Sequence, residues 1–164
     1  MRVMAKYAPV AVLLFCAFSA IQAAQKIPNS AVPRRVREAI QNYAPGAQLI
    51  EARFSDDRIY KRVYTCTYFR NLHLGTIKLT YKGLLLDIDE ALVIDDVPPN
   101  VRRVIRRETK GGLIKSITLD ALYGRVVYKV KAYYGNSTNI QISLTITNSG
   151  HIVDRKVSHG LLPF

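Results

Sequence analysis

The chain repeats itself, and this internal repeat constrains the fold more than any other feature. The segment VPRRVREAI at 32–40 recurs as VPPNVRRVI at 97–105, with the Val-Pro pair, a central Val and a final Ile in register. A further match follows at Tyr64 and Tyr128. The offset drifts by a few residues, which is typical of repeats whose loops gain or lose residues. Because each half is too short to bury much core alone, we expect one fused body with a surface between the halves.

The N-terminus has the composition of a secretory signal peptide. A basic start at Arg2 and Lys6 precedes an apolar run that ends in small residues. We therefore predict a signal peptide at 1–24 and a single mature domain at 25–164, in the periplasm or outside the cell. The alternatives are an uncleaved membrane anchor and a lipoprotein attached at Cys16.

The mature chain is strongly basic. Loss of two basic residues with the signal peptide lowers the formal net charge from +12 to +10. A charge of this size favours anionic partners. For an exported chain these are an acidic protein, an anionic envelope polymer or a membrane surface, and we expect no nucleic acid partner.

The cysteine count excludes an internal disulfide. Cys16 leaves with the signal peptide, so Cys66 is alone in the mature chain. Cys66 alternates with Tyr64 and Tyr68, which is the spacing of one face of a strand. We predict a small buried side chain and not a nucleophile.

Hydrophobic periodicity predicts one helix in each half. In the first half the apolar stripe has the spacing of one helical face and consists of Val36, Ala39, Ile40 and Tyr43. In the second half the stripe recurs at 101–105, after two prolines that suit a first helical turn. Asp95 or Asp96 is expected to cap this second helix.

Strict alternation of apolar and polar residues predicts strands after each helix, most clearly at 140–147. The expected fold class is α+β. It consists of two tandem helix-plus-antiparallel-strand repeats, at about 30–91 and 95–159, with the helices packed on one face of an antiparallel sheet. The opposite face is rich in Thr, Ser, Gln and Lys and is expected to meet solvent.

The residues that the two halves share carry a family resemblance. They are Val32-Pro33, Val36, Ile40, Tyr64, Gly83 and Asp87, with their partners Val97-Pro98, Val101, Ile105, Tyr128, Gly150 and Asp154. This pattern resembles the PepSY-like family of exported bacterial proteins, which is grouped with the beta-lactamase inhibitor protein and its tandem repeats. The resemblance implies a non-enzymatic exported module, in some relatives one that inhibits or regulates a hydrolase. It also implies internal disulfides in that inhibitor. Since this chain lacks them, inhibition of a beta-lactamase is not transferred to it.

No catalytic motif accompanies this plan. The histidines are His73, His151 and His159, and none lies beside a serine in a recognisable motif. The acidic clusters at 87–90 and 95–96 have the oxygen ligands that calcium prefers. Two structural roles account for these clusters more simply: Asp95 or Asp96 caps the second helix, and Asp87 ends a strand. We predict a protein that is not an enzyme and has no cofactor and no metal.

Two surfaces are candidates for binding. On the polar sheet face, partly exposed aromatic rings among Lys and Thr are typical of a protein-binding hot spot. Its residues are Thr65, Thr67, Phe69, Lys78, Lys82, Lys129, Lys131 and Tyr133. The alternative is an electrostatic cell-envelope adaptor that binds anionic polymer or lipid through the arginine-bearing helices. Its residues are Arg102, Arg103, Arg106 and Arg107. Either surface can also be a solvated face without a partner.

Overall fold

The structure, a computed structural model, describes residues 24–159. Almost all of the predicted signal peptide therefore lies outside the described residues. Within them, nine strands form one antiparallel sheet in which each strand pairs with the next along the chain. The strands are β1 (Gln25–Ile27), β2 (Gln48–Asp57), β3 (Lys61–Arg70), β4 (His73–Thr80), β5 (Leu85–Leu92), β6 (Ile114–Leu122), β7 (Arg125–Tyr133), β8 (Ile140–Thr147) and β9 (Ile152–His159). The helices are α1 (Arg34–Tyr43), before β2, and α2 (Pro99–Thr109), before β6. No helix among these residues is long and apolar enough to cross a membrane.

Both helices lie where their apolar stripes predicted them. Each begins directly after a proline in extended conformation and buries one face, formed in α2 by Val101, Val104, Ile105 and Thr109. Lys110 ends α2 in the left-handed conformation. The expected cap by Asp95 or Asp96 is wrong, because no side chain caps α2. These two residues instead belong to a short 3-10 turn, Ile94–Asp96, that precedes the helix.

The core lies between the helices and one face of the sheet. Alternate strand residues form rows that pair across neighbouring strands, such as Cys66, Ile77 and Ile88 in the first half and Ile117, Val130 and Leu144 in the second. Cys66 is 0% exposed, which confirms the predicted buried side chain. Burial raises the pKa of its thiol to about 11, so the reactive thiolate is scarce at neutral pH.

The expected α+β class is wrong, because the described chain is mainly β. The helices are only 10 and 11 residues long, whereas eight of the nine strands have 8 to 10 residues each. The chain is also not divided into two helix-and-strand units. β5 pairs with β6 through Glu90↔Leu119, Ala91↔Thr118 and Leu92↔Ile117, which makes the sheet continuous. The backbone hydrogen bonds of that ladder, and not the short helices, organise the molecule.

Candidate functional site

The polar face of the sheet, on the side away from the helices, presents a broad surface of short polar side chains and lysines. Thr65 lies opposite Lys78, and Lys131 lies between Ser116 and Ser143 on the neighbouring strands. Nine strands about 4.8 Å apart and about eight residues long give a face of roughly 38 by 26 Å. That area is about 1,000 Å², slightly more than the roughly 800 Å² that one partner contributes to a standard protein interface.

The structure does not bring all the predicted residues of this face together. Phe69 lies on β3 and Tyr133 on β7, with three strands between them. Four strand spacings separate the two rings by about 19 Å, too far for one hot spot. Lys82 lies outside the face, in the turn between β4 and β5, where its ammonium is 5.6 Å from the ring centre of Tyr81. The predicted residues therefore form two groups, one on β3 and β4 and one on β7.

Charges of opposite sign alternate across the polar face. Ion pairs join Lys26 to Glu51 (2.8 Å), Lys129 to Asp120, and Lys156 to Asp154 (3.3 Å). Lys78 lies opposite Asp87 on the neighbouring strand. Lys131 is exposed and forms no ion pair among residues 24–159. The face is therefore close to neutral, and the excess positive charge of the chain lies elsewhere.

One of the four predicted arginines of α2, Arg102, has a structural role. Arg102 donates from Nη2 to the backbone oxygens of Asp95 (2.9 Å) and Val97 (3.1 Å), which holds the chain in front of the helix. Arg37 on α1 donates in the same way to the oxygen of Val32 (3.0 Å).

Arg107 pairs with Glu108 at 2.8 Å. Arg103 and Arg106 are exposed and form no ion pair within the described part of the chain. Only these two remain for an anionic partner.

A groove lies between the C-terminal end of α1 and the segment that leads into α2; the repeat predicted a surface between the halves but not these lining residues. Its volume is about 810 Å³, and it lies above the junction of β5 and β6. Its apolar lining includes Tyr43, Leu92, Leu119, Val126 and Tyr128. Its lining comes from segments that are far apart in the sequence, which local sequence patterns do not bring together.

Arg70, which lines this groove, forms a buried ion pair with Glu90. Glu90 is 1% exposed and accepts hydrogen bonds from the Tyr68 hydroxyl (2.7 Å) and from Arg70 Nη2 (2.6 Å) and Nε (3.1 Å). Desolvation, followed by the bond to Glu90, raises the pKa of Tyr68, so this hydroxyl stays a neutral donor. A sequence signal for this pair exists, since Glu90 is in phase with the apolar residues Ile88 and Leu92.

The acidic cluster at 95–96 is occupied by contacts within the chain. Asp96 contacts His73 Nε2 and accepts from Asn71 Nδ2, each at 3.1 Å. Asp87, expected at a strand end, lies inside β5. Among the described residues, no three side chains of the metal-binding types are grouped closely enough to hold an ion.

No protein-family model and no curated protein matches this chain. Similar solved structures include a BLIP-like protein from Bacteroides fragilis, at 10% identity and a TM-score of 0.46, covering 84% of this chain and 92% of that one. A DUF2874 family protein from Bacteroides uniformis is 17% identical with a TM-score of 0.44, over 76% and 88% of the two chains. A proposed calcium-regulated periplasmic protein from Bacteroides thetaiotaomicron is 12% identical with a TM-score of 0.47, over 81% and 96%. These neighbours do not single out the PepSY-like family, and similarity of this degree assigns no partner or activity to the chain.

Proposed function

We propose that this chain is an exported, non-catalytic binding module that engages a protein through the polar face of its sheet, in the periplasm or outside the cell. The observation that carries the proposal is the combination of area and charge on that face. It is as large as one side of a standard protein interface, and no helix among residues 24–159 covers it.

The alternation of charge favours a protein over a polymer of one sign. An anionic polymer laid across the face would approach Glu51, Asp87 and Asp154 and be repelled by them. A protein surface can place charges of both signs against this pattern, which gives specificity and correct register.

The centre of the interface is expected on β7. Lys131 forms no ion pair within the described residues and lies opposite a serine on each neighbouring strand, so a carboxylate of the partner can pair with it. Tyr133, two residues along the same strand, has the Lys115 ammonium 5.1 Å from its ring centre. Partly exposed aromatic and cationic side chains of this kind dominate binding energy in many interfaces. Inhibition or regulation of a hydrolase is one form of such binding.

The experiment is capture of partners from the exported fraction of the source organism, followed by affinity measurements with the purified partner. We expect retention at high salt, and a loss of about 30-fold or more in affinity for Lys131→Ala plus Tyr133→Ala. Arg103→Gln plus Arg106→Gln is the matched control on α2 and should change affinity by less than about threefold. A hydrolase among the captured proteins would be assayed for inhibition. Undiminished affinity of the β7 variant would refute binding through this face.

The alternative function is an electrostatic adaptor for anionic envelope polymer or lipid. Arg103 and Arg106 carry it, because both are exposed on α2 and unpaired among the described residues. In that case material captured at low salt would elute entirely at high salt, and the α2 variant would lose binding while the β7 variant kept it.

A further inference from the structure

Apolar side chains project into solvent from three adjacent hairpin turns at one end of the sheet. Ile59, in the turn between β2 and β3, is 81% exposed. Leu84, between β4 and β5, is 52% exposed, and Tyr123, between β6 and β7, is 94% exposed. Ile59 and Leu84 line one depression of about 370 Å³, and Gly124 lies directly beside Leu84. The three turns therefore form a continuous surface.

Positive charge surrounds these apolar groups. Arg58 and Lys82 belong to the same turns and Lys61 begins β3; none of the three forms an ion pair among the described residues. The exposed carboxylate of Asp57 accepts from the backbone nitrogens of Ile59 and Tyr60, each at 2.8 Å, and that of Asp56 pairs with Arg62 at 3.6 Å. We call the set of Ile59, Leu84, Tyr123, Arg58, Lys61 and Lys82 the hairpin-tip surface.

Folding alone does not explain the tyrosine in this surface. Tyr123 and Gly124 both have positive φ, 51° and 73°, in a two-residue turn. Such a turn favours Asn, Asp or Gly at its first position, because a bulky side chain is strained in the left-handed region. At 94% exposure the ring gains almost no packing within the chain in return. Strain without internal compensation points to an external contact.

We propose that the hairpin-tip surface docks on an anionic phospholipid bilayer. Ile59, Leu84 and Tyr123 enter the interfacial region, and the three cations meet lipid phosphates. Exposed apolar and aromatic groups ringed by Lys and Arg are the composition of interfacial anchors. The turns project beyond the strand ends, so their side chains can insert between the headgroups of a deformable lipid bilayer. The polar sheet face, which runs along the strands, stays accessible to a protein partner in this orientation.

Co-sedimentation with lipid vesicles tests the proposal. The protein used is residues 25–164, which contain every strand and helix of the described sheet. We expect binding to phosphatidylcholine vesicles that contain about 30% phosphatidylglycerol, with weaker binding to phosphatidylcholine alone and at high salt. Arg58→Gln, Lys61→Gln and Lys82→Gln together should lower partitioning about 100-fold, from about fivefold for each cation. The control Arg103→Gln plus Arg106→Gln should change it less than threefold.

Tyr123 offers two sharper tests. Tyr123→Asn suits the turn better than tyrosine, so the variant should unfold at the same or a higher temperature and yet partition at least fivefold less. The chain contains no tryptophan, so Tyr123→Trp introduces one reporter, whose emission should shift to shorter wavelength on anionic vesicles. Absence of vesicle binding, an unshifted emission of the bound variant, or binding lost only in the α2 control would each overturn the proposal.

Discussion

The buried pair of Arg70 and Glu90 provides the most demanding test of the structure. The Glu90 side chain is 0% exposed and that of Arg70 is 14% exposed. Arg70→Met removes both of its hydrogen bonds to Glu90 and leaves a buried carboxylate with only the Tyr68 hydroxyl as donor. Removing one partner of a buried ion pair typically costs about 3–5 kcal/mol, because the remaining charge is desolvated without compensation.

That magnitude is large compared with the whole stability of a domain, which is about 5–15 kcal/mol. For a domain of this length it corresponds to a fall in Tm of about 10–15 °C. Arg70→Met plus Glu90→Met replaces both charges by apolar groups and removes the uncompensated carboxylate. We expect this double variant to lie within about 1 kcal/mol of the parent, so that its two changes are far from additive.

Urea unfolding followed by far-UV circular dichroism measures these differences, provided the slope with urea is unchanged. Arg53→Met is the matched control, because Arg53 forms an exposed ion pair with Glu51 at 2.5 Å. Exposed pairs contribute about 0–1 kcal/mol, so this control should stay close to the parent. If Arg70→Met costs no more than Arg53→Met, the carboxylate of Glu90 is hydrated and the reasoning is wrong.

Three further predictions concern other parts of the fold. The Cys66 thiol has a pKa of about 11 in the folded chain against 9.0 as the ordinary value, so rising pH ionises the unfolded chain first. The parent should therefore lose about 2 kcal/mol relative to Cys66→Ala between pH 9 and 11, measured by urea unfolding at both pH values. Arg102→Ala should cost about 2 kcal/mol through two lost charged hydrogen bonds to backbone oxygens, and Arg103→Ala less than about 0.5 kcal/mol, by the same assay. Gly83→Ala should lower stability by about 2–3 kcal/mol, because φ is +83° and the new Cβ would lie 2.9 Å from a backbone oxygen of α1. Gly111→Ala, with φ +71° and open space, should cost only about 1 kcal/mol.

Local sequence patterns predicted the elements of this fold better than their assembly. The alternation at 140–147 corresponds to β8, and the apolar stripes located both helices. The predicted α+β fold class was wrong because hydrophobic periodicity locates a helix but does not show how much of the fold is helical. Two helices of about three turns cover only part of a sheet whose continuity depends on pairing between β5 and β6. That pairing joins residues on either side of α2 and leaves no local signature.

The candidate site was predicted in composition but not in geometry. Alternation placed Lys129, Lys131 and Tyr133 together on one strand, which the structure also shows. It could not show that Phe69 lies four strand spacings from Tyr133, because strand order is not a local property. Lys82 does not lie on the polar face because β4 ends at Thr80, two residues earlier. The register of the β4–β5 ladder also shifts near that end.

The order of the strands has a consequence for how the chain acquires its structure. Within residues 24–159, each of the eight ladders joins strands that are consecutive in the sequence, so no strand must wait for a distant segment to form its hydrogen bonds. Loop-closure entropy, which slows sheets built from remote pairings, is therefore small at each step. A chain that emerges gradually from its N-terminus can add one strand at a time to the growing edge. Until β9 has paired, the last strand added leaves an unpaired edge that can pair with another chain and aggregate. Rapid sequential pairing shortens the time for which each edge is exposed.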